Sequence, residues 1–182
     1  VPYPPNYGGV QDVFYKIFWL NKYGVKIHLH CFKSNRIESK ELENLCEEVF
    51  YYQRNTSWIS NFSLLPYTVK SRPIKELKRN LLKNNFPILF EVLHTCYLLK
   101  DFEFLERKKI YRHSNIEHEY YLHLSYSEKN ILKKLFLKIE AWKLKRFEKI
   151  LKHANIILAV NKKDADYFGK KFPTAVGNFF PK

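Results

Sequence analysis

The sequence is poor in the residues that mark cross-linked, fibrous or membrane-spanning proteins. It has only five glycines in 182 residues, which argues against a collagen-like chain or a glycine-rich linker. Its three cysteines, Cys31, Cys46 and Cys96, are an odd number without paired spacing, so we expect a reducing compartment and no disulfide framework. No apolar run reaches the roughly 18–20 residues that span a bilayer, and no signal peptide is visible. We therefore expect a cytoplasmic chain.

Acidic residues are also scarce relative to basic ones. Lys and Arg number 32 against 18 Asp and Glu, which gives a formal net charge of +14. Such a surface attracts anions, whether nucleic acid, phosphorylated small molecules or an anionic membrane face. Apolar residues make up 46% of the chain, enough for a packed core.

Hydrophobic periodicity divides the chain into alternating strands and helices. Proline and glycine predict a loop over 2–9. Pro73 predicts the start of a helix, because proline is favoured in the first helical turn. We predict strands at 25–32, 49–53, 87–93, 108–114 and 154–160. We predict helices from Val10 to Tyr23, from Ser39 (as N-cap) to Glu48, from Pro73 to Lys83, over 115–153 with a break near 125–127, and over 164–171. The stretch 54–72 is predicted to be loop-like, and residues 174–182 a strand stub or linker.

This alternation predicts an α/β fold. We expect a Rossmann-like three-layer α/β/α domain with a mostly parallel sheet, formed by residues 1–182 as a single domain. Such sheets bind ligands in the loops that follow the carboxyl ends of their strands.

Gly8 and Gly9 form the first candidate site. A strand before Val1 would make them a strand–loop–helix turn, where free backbone N–H groups and the helix dipole favour a phosphate. An ordinary turn is the alternative interpretation of a glycine pair.

Polar residues after two predicted strands form the second candidate site. His94 directly follows the strand at 87–93. The segment 112–121 combines Arg112 with Asn115, predicted to cap a helix, and with Glu117 and His118, either of which could act as acid or base toward a hydroxyl-rich substrate. The alternative is a capped helix with solvated polar side chains and a half-buried histidine.

The histidines and cysteines do not predict a metal site. His28 and His30 share one face of a strand while Cys31 points to the other, and His94 and Cys96 are close in sequence. Neither group has the spacing of known metal-binding motifs.

A basic amphipathic helix is predicted over 128–152. Six apolar residues share one broad face, and nine Lys or Arg between Lys129 and Lys152 fall mainly elsewhere; the six are Leu132, Phe136, Ile139, Trp142, Phe147 and Ile150. A solvated charged face is the ordinary interpretation. An anionic membrane would gain about 1 kcal/mol per nearby cation, which makes peripheral membrane binding the alternative.

Several segments together resemble one enzyme family. PYPPNYGGVQDVFYK, YGVKIHLHCF, PILFEVLHTCYLL, NIEHEYY, LFLKIEAWKLKRFEKILKHANIILAV and KKFPTAVGNFFP are similar, in this order, to the amino-terminal half of retaining family-four-like glycosyltransferases with the GT-B fold, particularly those of Bacteroidetes-type bacteria. The resemblance covers essentially the whole chain.

The resemblance implies a glycosyl transfer from a nucleotide sugar to an acceptor, without a metal or other cofactor. It implies that Gly8 and Gly9 approach the donor's phosphates. It further implies that Tyr7, Arg112 and Asn115 contact the sugar or acceptor and that His94 and Glu117 are the catalytic candidates. The partners expected from it are a nucleotide sugar and a saccharide or lipid-linked acceptor.

The chain departs from the family's pattern at several places. We expect the family's first strand before Val1 and its carboxyl-terminal nucleotide-sugar-binding domain to be absent from this chain. The family has His where Ser114 stands, and it often has Gly at the position of Val92 and Ser at that of Asn161. From these departures we expect no glycosyl transfer by the chain alone, and activity only when it is joined to its carboxyl-terminal half.

We therefore expect the acceptor-side domain of a glycosyltransferase, cytoplasmic or peripheral on the inner face of the cell membrane. One alternative is a catalytically inactive module that binds a saccharide or a membrane surface. Another is a basic nucleic-acid-binding α/β domain, although the stacked aromatics of sheet-based RNA binders are absent and we expect no nucleic-acid partner.

Overall fold

Strands and helices alternate along the chain. The structure is a computed structural model that describes residues 1–57, residues 63–172 and the backbone of 176–178. The helices are α1 (Gly8–Lys22), α2 (Lys40–Leu45), α3 (Tyr67–Lys70), α4 (Ile74–Leu81), α5 (Glu117–Ser127), α6 (Ile131–Phe147) and α7 (Lys162–Lys171). The strands are β1 (His28–Lys33), β2 (Glu48–Gln53), β3 (Ile88–Glu91), β4 (Lys109–Arg112), β5 (Ile156–Ala159) and β6 (Val176–Asn178). Each of these strands pairs in parallel with its neighbours, so the predicted α/β class is confirmed.

The chain divides into two compact units. Unit 1 comprises Val1–Ser57 and Ser71–Asn80, and unit 2 comprises the described parts of Trp58–Lys70 and Leu81–Lys182. The assignment of residues 1–182 to a single domain stays a prediction.

Unit 1 is built around the parallel pair β1 and β2. His28 lies opposite Glu48, and the register continues to Lys33 opposite Gln53. The crossover between the two strands carries α2, whose Leu42 is fully buried together with Tyr52 of β2. On α1, Val10 and Ile17 are the buried residues. Within β1 itself only Cys31 is buried, so the core of unit 1 is small.

Unit 2 contains a four-stranded sheet in the order β3–β4–β5–β6. Phe90 of β3, Tyr111 of β4 and Ile157 of β5 are buried in its core. The first two crossovers carry the 3₁₀ helix Leu93–Lys100 and the pair α5 and α6, and the third carries α7. Because all four strands are parallel, their carboxyl ends lie at one edge of this sheet.

Several boundaries differ from the sequence-based expectation. Helix α1 begins at Gly8, so the glycine pair forms its first turn instead of preceding it. Ser39 occupies the N-cap position of α2, but its hydroxyl donates to the Glu41 carboxylate instead of capping the backbone. The strand β3 alternates between buried and less buried residues, although a nearly continuous apolar run such as that at 87–93 is typical of a strand buried on both faces. Tyr67–Lys70 forms α3 within the predicted loop 54–72, of which residues 58–62 lie outside the described part.

The break in the long helical segment falls at 128–130, slightly later than predicted, and separates α5 from α6. Asn130 caps α6, because its side-chain oxygen accepts a hydrogen bond from the Lys133 N–H. The apolar face predicted for this segment is largely exposed: Leu132, Phe136, Ile139 and Trp142 are open to solvent, whereas Ile150 is buried. Helix α6 instead buries Ala141 and Leu144 together with two charged residues, Glu140 and Lys143.

Glu140 and Lys143 explain how charged residues enter the core of unit 2. One oxygen of Glu140 accepts from the Lys143 ammonium at 2.9 Å, and the other accepts from the backbone N–H of Tyr67 at 2.7 Å. Both carboxylate oxygens are thereby satisfied, as a buried charge requires. The pair also ties α6 to the first residue of α3.

Arg107 holds the turn that precedes β3. Its buried guanidinium donates to the carbonyl oxygens of Phe86 and Leu81 at 2.5 and 2.6 Å and to the Asn84 side chain at 2.8 Å. Hydrogen bonds from a charged donor are each worth about 1.5–3 kcal/mol. One side chain therefore fixes a segment that has no regular structure of its own.

We predict that Arg107→Gln lowers the free energy of unfolding by at least about 2 kcal/mol, because it leaves buried carbonyl groups without a donor. Urea unfolding followed by circular dichroism measures the change. Lys108→Gln is the matched control, since Lys108 is adjacent and exposed. Equal stability of the two variants would contradict this account of Arg107.

Candidate functional site

The carboxyl edge of the four-stranded sheet carries an ion pair. Glu91 ends β3 and Arg112 ends β4, and the two residues lie opposite one another in the register. A guanidinium nitrogen of Arg112 is 3.6 Å from a carboxylate oxygen of Glu91, and both side chains are mostly buried. The Val92 N–H then donates to the Arg112 carbonyl and extends the ladder by one residue. This pairing places the polar end of β4 directly beside the loop that leaves β3.

Val92 has an unusual backbone conformation at this edge. Its φ is 62° and its ψ is 155°, a region that glycine adopts readily and a β-branched residue rarely does. Among the described residues, it is the one non-glycine residue with a positive φ. The family that the sequence resembles often has glycine at this position. Glycine adopts a positive φ without steric cost, which gives a physical reason for a glycine here.

His94 lies in the 3₁₀ helix Leu93–Lys100, which begins after Val92 beyond the end of β3, and it is half-buried. The same turn is fastened to the strand by Thr95, whose hydroxyl donates to the carbonyl oxygens of Glu91 and Val92. The structure thus places His94 at the end of the strand that the sequence predicted.

The segment after β4 begins with His113, which is fully buried. Its Nε2 accepts from the Val160 N–H at 3.2 Å and lies 3.7 Å from a carboxylate oxygen of Asp164. Burial lowers the pKa of His113, and the Asp164 carboxylate offsets part of that effect. His113 therefore positions the turn between β5 and α7, where Asn161 caps α7 through its side chain.

Asn115 does not cap α5, which corrects the sequence-based expectation. The N-cap position is occupied by Ile116, with no side-chain cap, and α5 begins at Glu117. Asn115 is exposed instead. Glu117 is buried in the first helical turn, where the helix dipole favours a negative charge.

A buried polar cluster supports the start of α5 and was not predicted from the sequence. The carboxylate of Glu148 accepts from Tyr167 and Lys171, and lies 3.4 Å from Nδ1 of His118. Burial alone would raise the pKa of Glu148, but its contact with His118 and the hydrogen bonds from Lys171 and Tyr167 together hold it below its usual value. The cluster joins α5, the 3₁₀ helix Glu148–His153 and α7, three elements distant in sequence, so no local pattern could have revealed it.

The start of α1 is the corresponding feature of unit 1. Tyr7 occupies the N-cap position without a side-chain cap, and the first turn holds no acidic residue. Gly8 and Gly9 are exposed, and a Cβ added at either would meet no atom within 4 Å. Packing therefore does not demand glycine at these positions, and no residue of the described part of the chain covers the space beside them.

Arg36 adds a cation beside this terminus that the sequence reasoning missed. Its guanidinium donates to the Pro4 carbonyl and to the Asn6 side chain, and it lies 5.0 Å from the centre of the Tyr7 ring. The available signal was its place in the loop after β1, the end of a parallel strand.

The histidines of unit 1 have structural partners, and its Cys31 is a buried free thiol. His30 bonds the Tyr52 hydroxyl at 2.7 Å and stacks on Phe50, while His28 is 3.2 Å from the Glu48 carboxylate. Burial raises the pKa of Cys31 to about 11, so its thiol stays protonated at neutral pH. In residues 1–57 and 63–172, no group of three or more His, Cys, Asp or Glu side chains is arranged to hold a metal ion.

The helices in the described part of the chain are all too short or too polar to cross a membrane.

Comparison with known proteins finds a distant relative. The chain is 32% identical over 143 residues to a protein of Klebsiella pneumoniae described as "Uncharacterized 44.6 kDa protein in cps region". The match covers 74% of this chain and 36% of that protein, so the chain spans little more than a third of the relative's length. No family profile and no solved structure matches the chain.

We predict that Val92→Gly is at least as stable as Val92→Ala, the reverse of the usual order of glycine and alanine. A strained φ costs about 1–3 kcal/mol, so Val92→Gly relieves strain that Val92→Ala retains. The glycine variant should therefore unfold with a free energy at least as high as that of the alanine variant. Val49 in β2, which lacks a positive φ, is the control at which glycine should be the less stable variant by about 0.5–1 kcal/mol. The same order at both positions in urea unfolding would contradict strain at Val92.

We predict that His113 contributes to loss of stability in mild acid. Its folded-state pKa lies below the ordinary 6.5, so below that pH the unfolded chain binds the proton more readily than the folded chain. The free energy of unfolding should fall between about pH 7.5 and pH 5.5, and His113→Gln should reduce that fall. The exposed His123, changed to Gln, is the control and should leave the fall unchanged. If wild type and His113→Gln showed the same pH dependence, the buried imidazole of His113 would not be the cause of the loss of stability in mild acid.

Proposed function

We propose that the chain is the acceptor-side half of a GT-B glycosyltransferase that acts in cell-envelope polysaccharide synthesis. The observation that carries the proposal is the polar carboxyl edge of the four-stranded parallel sheet, where the ends of β3 and β4 lead into His94 and Glu117. Ligands of doubly wound sheets bind at this kind of edge. The relative in a cps region, which denotes capsule polysaccharide, supports polysaccharide synthesis as the setting.

The edge has the chemistry that binding a sugar requires. Arg112 brings hydrogen-bond donors, Glu117 brings acceptors, and the exposed Asn115 brings both. A hydroxyl-rich ligand needs such a mixture at fixed positions. The ion pair with Glu91 and the ladder bond from Val92 hold the end of β4 in place, which favours a preorganised site.

The reaction needs a base for the acceptor. In the transfer, the acceptor oxygen bonds to the anomeric carbon as the bond to the nucleoside diphosphate breaks, and the acceptor hydroxyl loses its proton. We assign this proton to His94 or Glu117, because the Glu91 carboxylate at the same edge is paired with Arg112. Positioned bases of this kind contribute about 10²–10⁴-fold to rates.

The start of α1 is proposed to bind phosphate in its own right. An exposed helix terminus without acidic residues, with Arg36 beside it, offers both backbone donors and a positive charge. Such groups can bind a phosphate without a metal ion. Tyr7, which precedes this turn and is 59% exposed, is proposed as a sugar contact.

The test is a transfer assay on the complete reading frame that encodes this chain. Nucleotide sugars and membrane lipid extracts are supplied, and release of nucleoside diphosphate is measured. We expect Glu117→Gln and His94→Ala each to lower kcat by about 10²-fold or more. The exposed Glu106→Gln and His123→Gln are the matched controls and should retain activity.

Arg36→Gln tests the phosphate assignment separately. We expect it to raise KM for the nucleotide sugar by about tenfold, the effect of losing one charge-assisted contact, with little change in kcat. The exposed Lys40→Gln is its control. If no donor is turned over, the glycosyltransferase proposal fails. If turnover occurs but Arg36→Gln behaves as wild type, only the phosphate site is wrong.

A catalytically inactive saccharide-binding module is the second candidate, and one observation favours it. The family's histidine position is Ser114 in this chain, and the neighbouring His113 is fully buried and bonded to the β5–α7 turn. His113 therefore does not replace the missing imidazole. Saccharide binding by the complete protein without release of nucleoside diphosphate would support this candidate.

A further inference from the structure

Helix α6 presents an apolar stripe to solvent. Ile131 is 79% exposed, Leu132 78% and Trp142 51%. With 3.6 residues per turn, these side chains share one helical face with three further exposed residues: Leu135, Phe136 and Ile139. Monomeric proteins rarely expose a contiguous apolar surface of this kind unless it binds something.

The stripe is not the packing face of α6. Ala141 and Leu144 make that face, and the buried pair of Glu140 and Lys143 fixes it through the bond to Tyr67. The orientation of α6 is thus set by bonds within unit 2. The exposed apolar residues lie on the side of α6 that faces away from these bonds.

The exposed surface of α6 carries positive charge without an exposed acid. The one acidic residue of α6, Glu140, is buried and paired with Lys143. Four cations of the helix are exposed: Lys133, Lys138, Lys145 and Arg146. Lys138 and Lys145 lie along one margin of the stripe by helical spacing, together with the half-buried Lys134. Near the carboxyl end of α6, the Arg146 guanidinium lies 4.7 Å from the centre of the Trp142 ring.

We propose that α6 lies in the interface of an anionic membrane, with the stripe inserted among the acyl chains and the cations against the lipid headgroups. A helix with an apolar face flanked by Lys and with Trp at its margin has the composition of interfacial helices, which insert about 5–10 Å. A second copy fits less well, because two such faces would bring cations against cations. Membrane binding does not depend on the proposed glycosyl transfer, so the two proposals can fail independently.

The experiment is cosedimentation of the chain with vesicles of equal parts phosphatidylglycerol and phosphatidylcholine, compared with vesicles of phosphatidylcholine alone. We expect binding to the anionic vesicles that weakens with added salt, since the attraction to the headgroups is screened. The triple variant Lys134→Gln, Lys138→Gln, Lys145→Gln should weaken it about a hundredfold, from about 1 kcal/mol per cation.

The apolar stripe is tested with Leu132→Ser, Leu135→Ser, Trp142→Ser, which should weaken binding at least as much. Its matched control changes three exposed apolar residues elsewhere in unit 2, Leu64, Phe102 and Leu105, to Ser. The control for charge is Lys40→Gln, Lys75→Gln, Lys108→Gln, three exposed lysines outside α6. Both controls should bind as wild type does.

Tryptophan fluorescence separates insertion from adsorption. Adding anionic vesicles should shift the emission of the wild-type chain to shorter wavelength, and Trp142→Phe should abolish that shift. Equal binding by the α6 variants and their controls would overturn the proposal. So would a dimer without lipid that the serine variant of α6 disperses, because a second copy would then cover the stripe.

Discussion

The register of β4 between its two neighbours determines the site in unit 2. Arg112 lies opposite Glu91 of β3 on one side and opposite Leu158 of β5 on the other. The ladder continues past the strand, since the Val92 N–H donates to Arg112 and the His113 N–H donates to Leu158. A slip of one residue in this register would turn the guanidinium into the core and Tyr111 out of it. The same register therefore determines both the packing of the core and the position of the polar edge.

This constraint explains what the sequence could predict. Apolar runs of the right length marked β3 and β5, and a parallel arrangement followed from the helices between them, so the edge that carries His94 and Arg112 could be identified from the sequence alone. Similarly, the resemblance pointed to Val92 as a glycine position, and its positive φ gives that a backbone cause. Local pattern and topology together were sufficient for these residues.

The remaining features depend on partners distant in sequence. Arg36 reaches back about thirty residues to Pro4 and Asn6, and Glu148 gathers His118 and Lys171 from either side along the chain. No periodicity encodes such contacts, because they arise only when the crossovers bring the elements together. The predicted cap at Asn115 failed for a related reason: the backbone enters α5 at Ile116, and the residue with the best capping side chain lies one position too early.

Helix α6 shows that such a distant contact can oppose a hydrophobic pattern. Amphipathicity alone would turn its Leu, Ile, Phe and Trp inward. However, Glu140 is held by Lys143 and by the N–H of Tyr67 from α3, and reversing the helix would expose this pair and leave that N–H without its acceptor. Breaking a buried ion pair costs about 3–5 kcal/mol, comparable to the gain from burying one or two large apolar side chains. Burying all six exposed apolar side chains of α6 would gain more than this, so the pair favours the outward orientation without accounting for it alone. The membrane interface that we propose for α6 supplies the apolar environment that these side chains lack within unit 2.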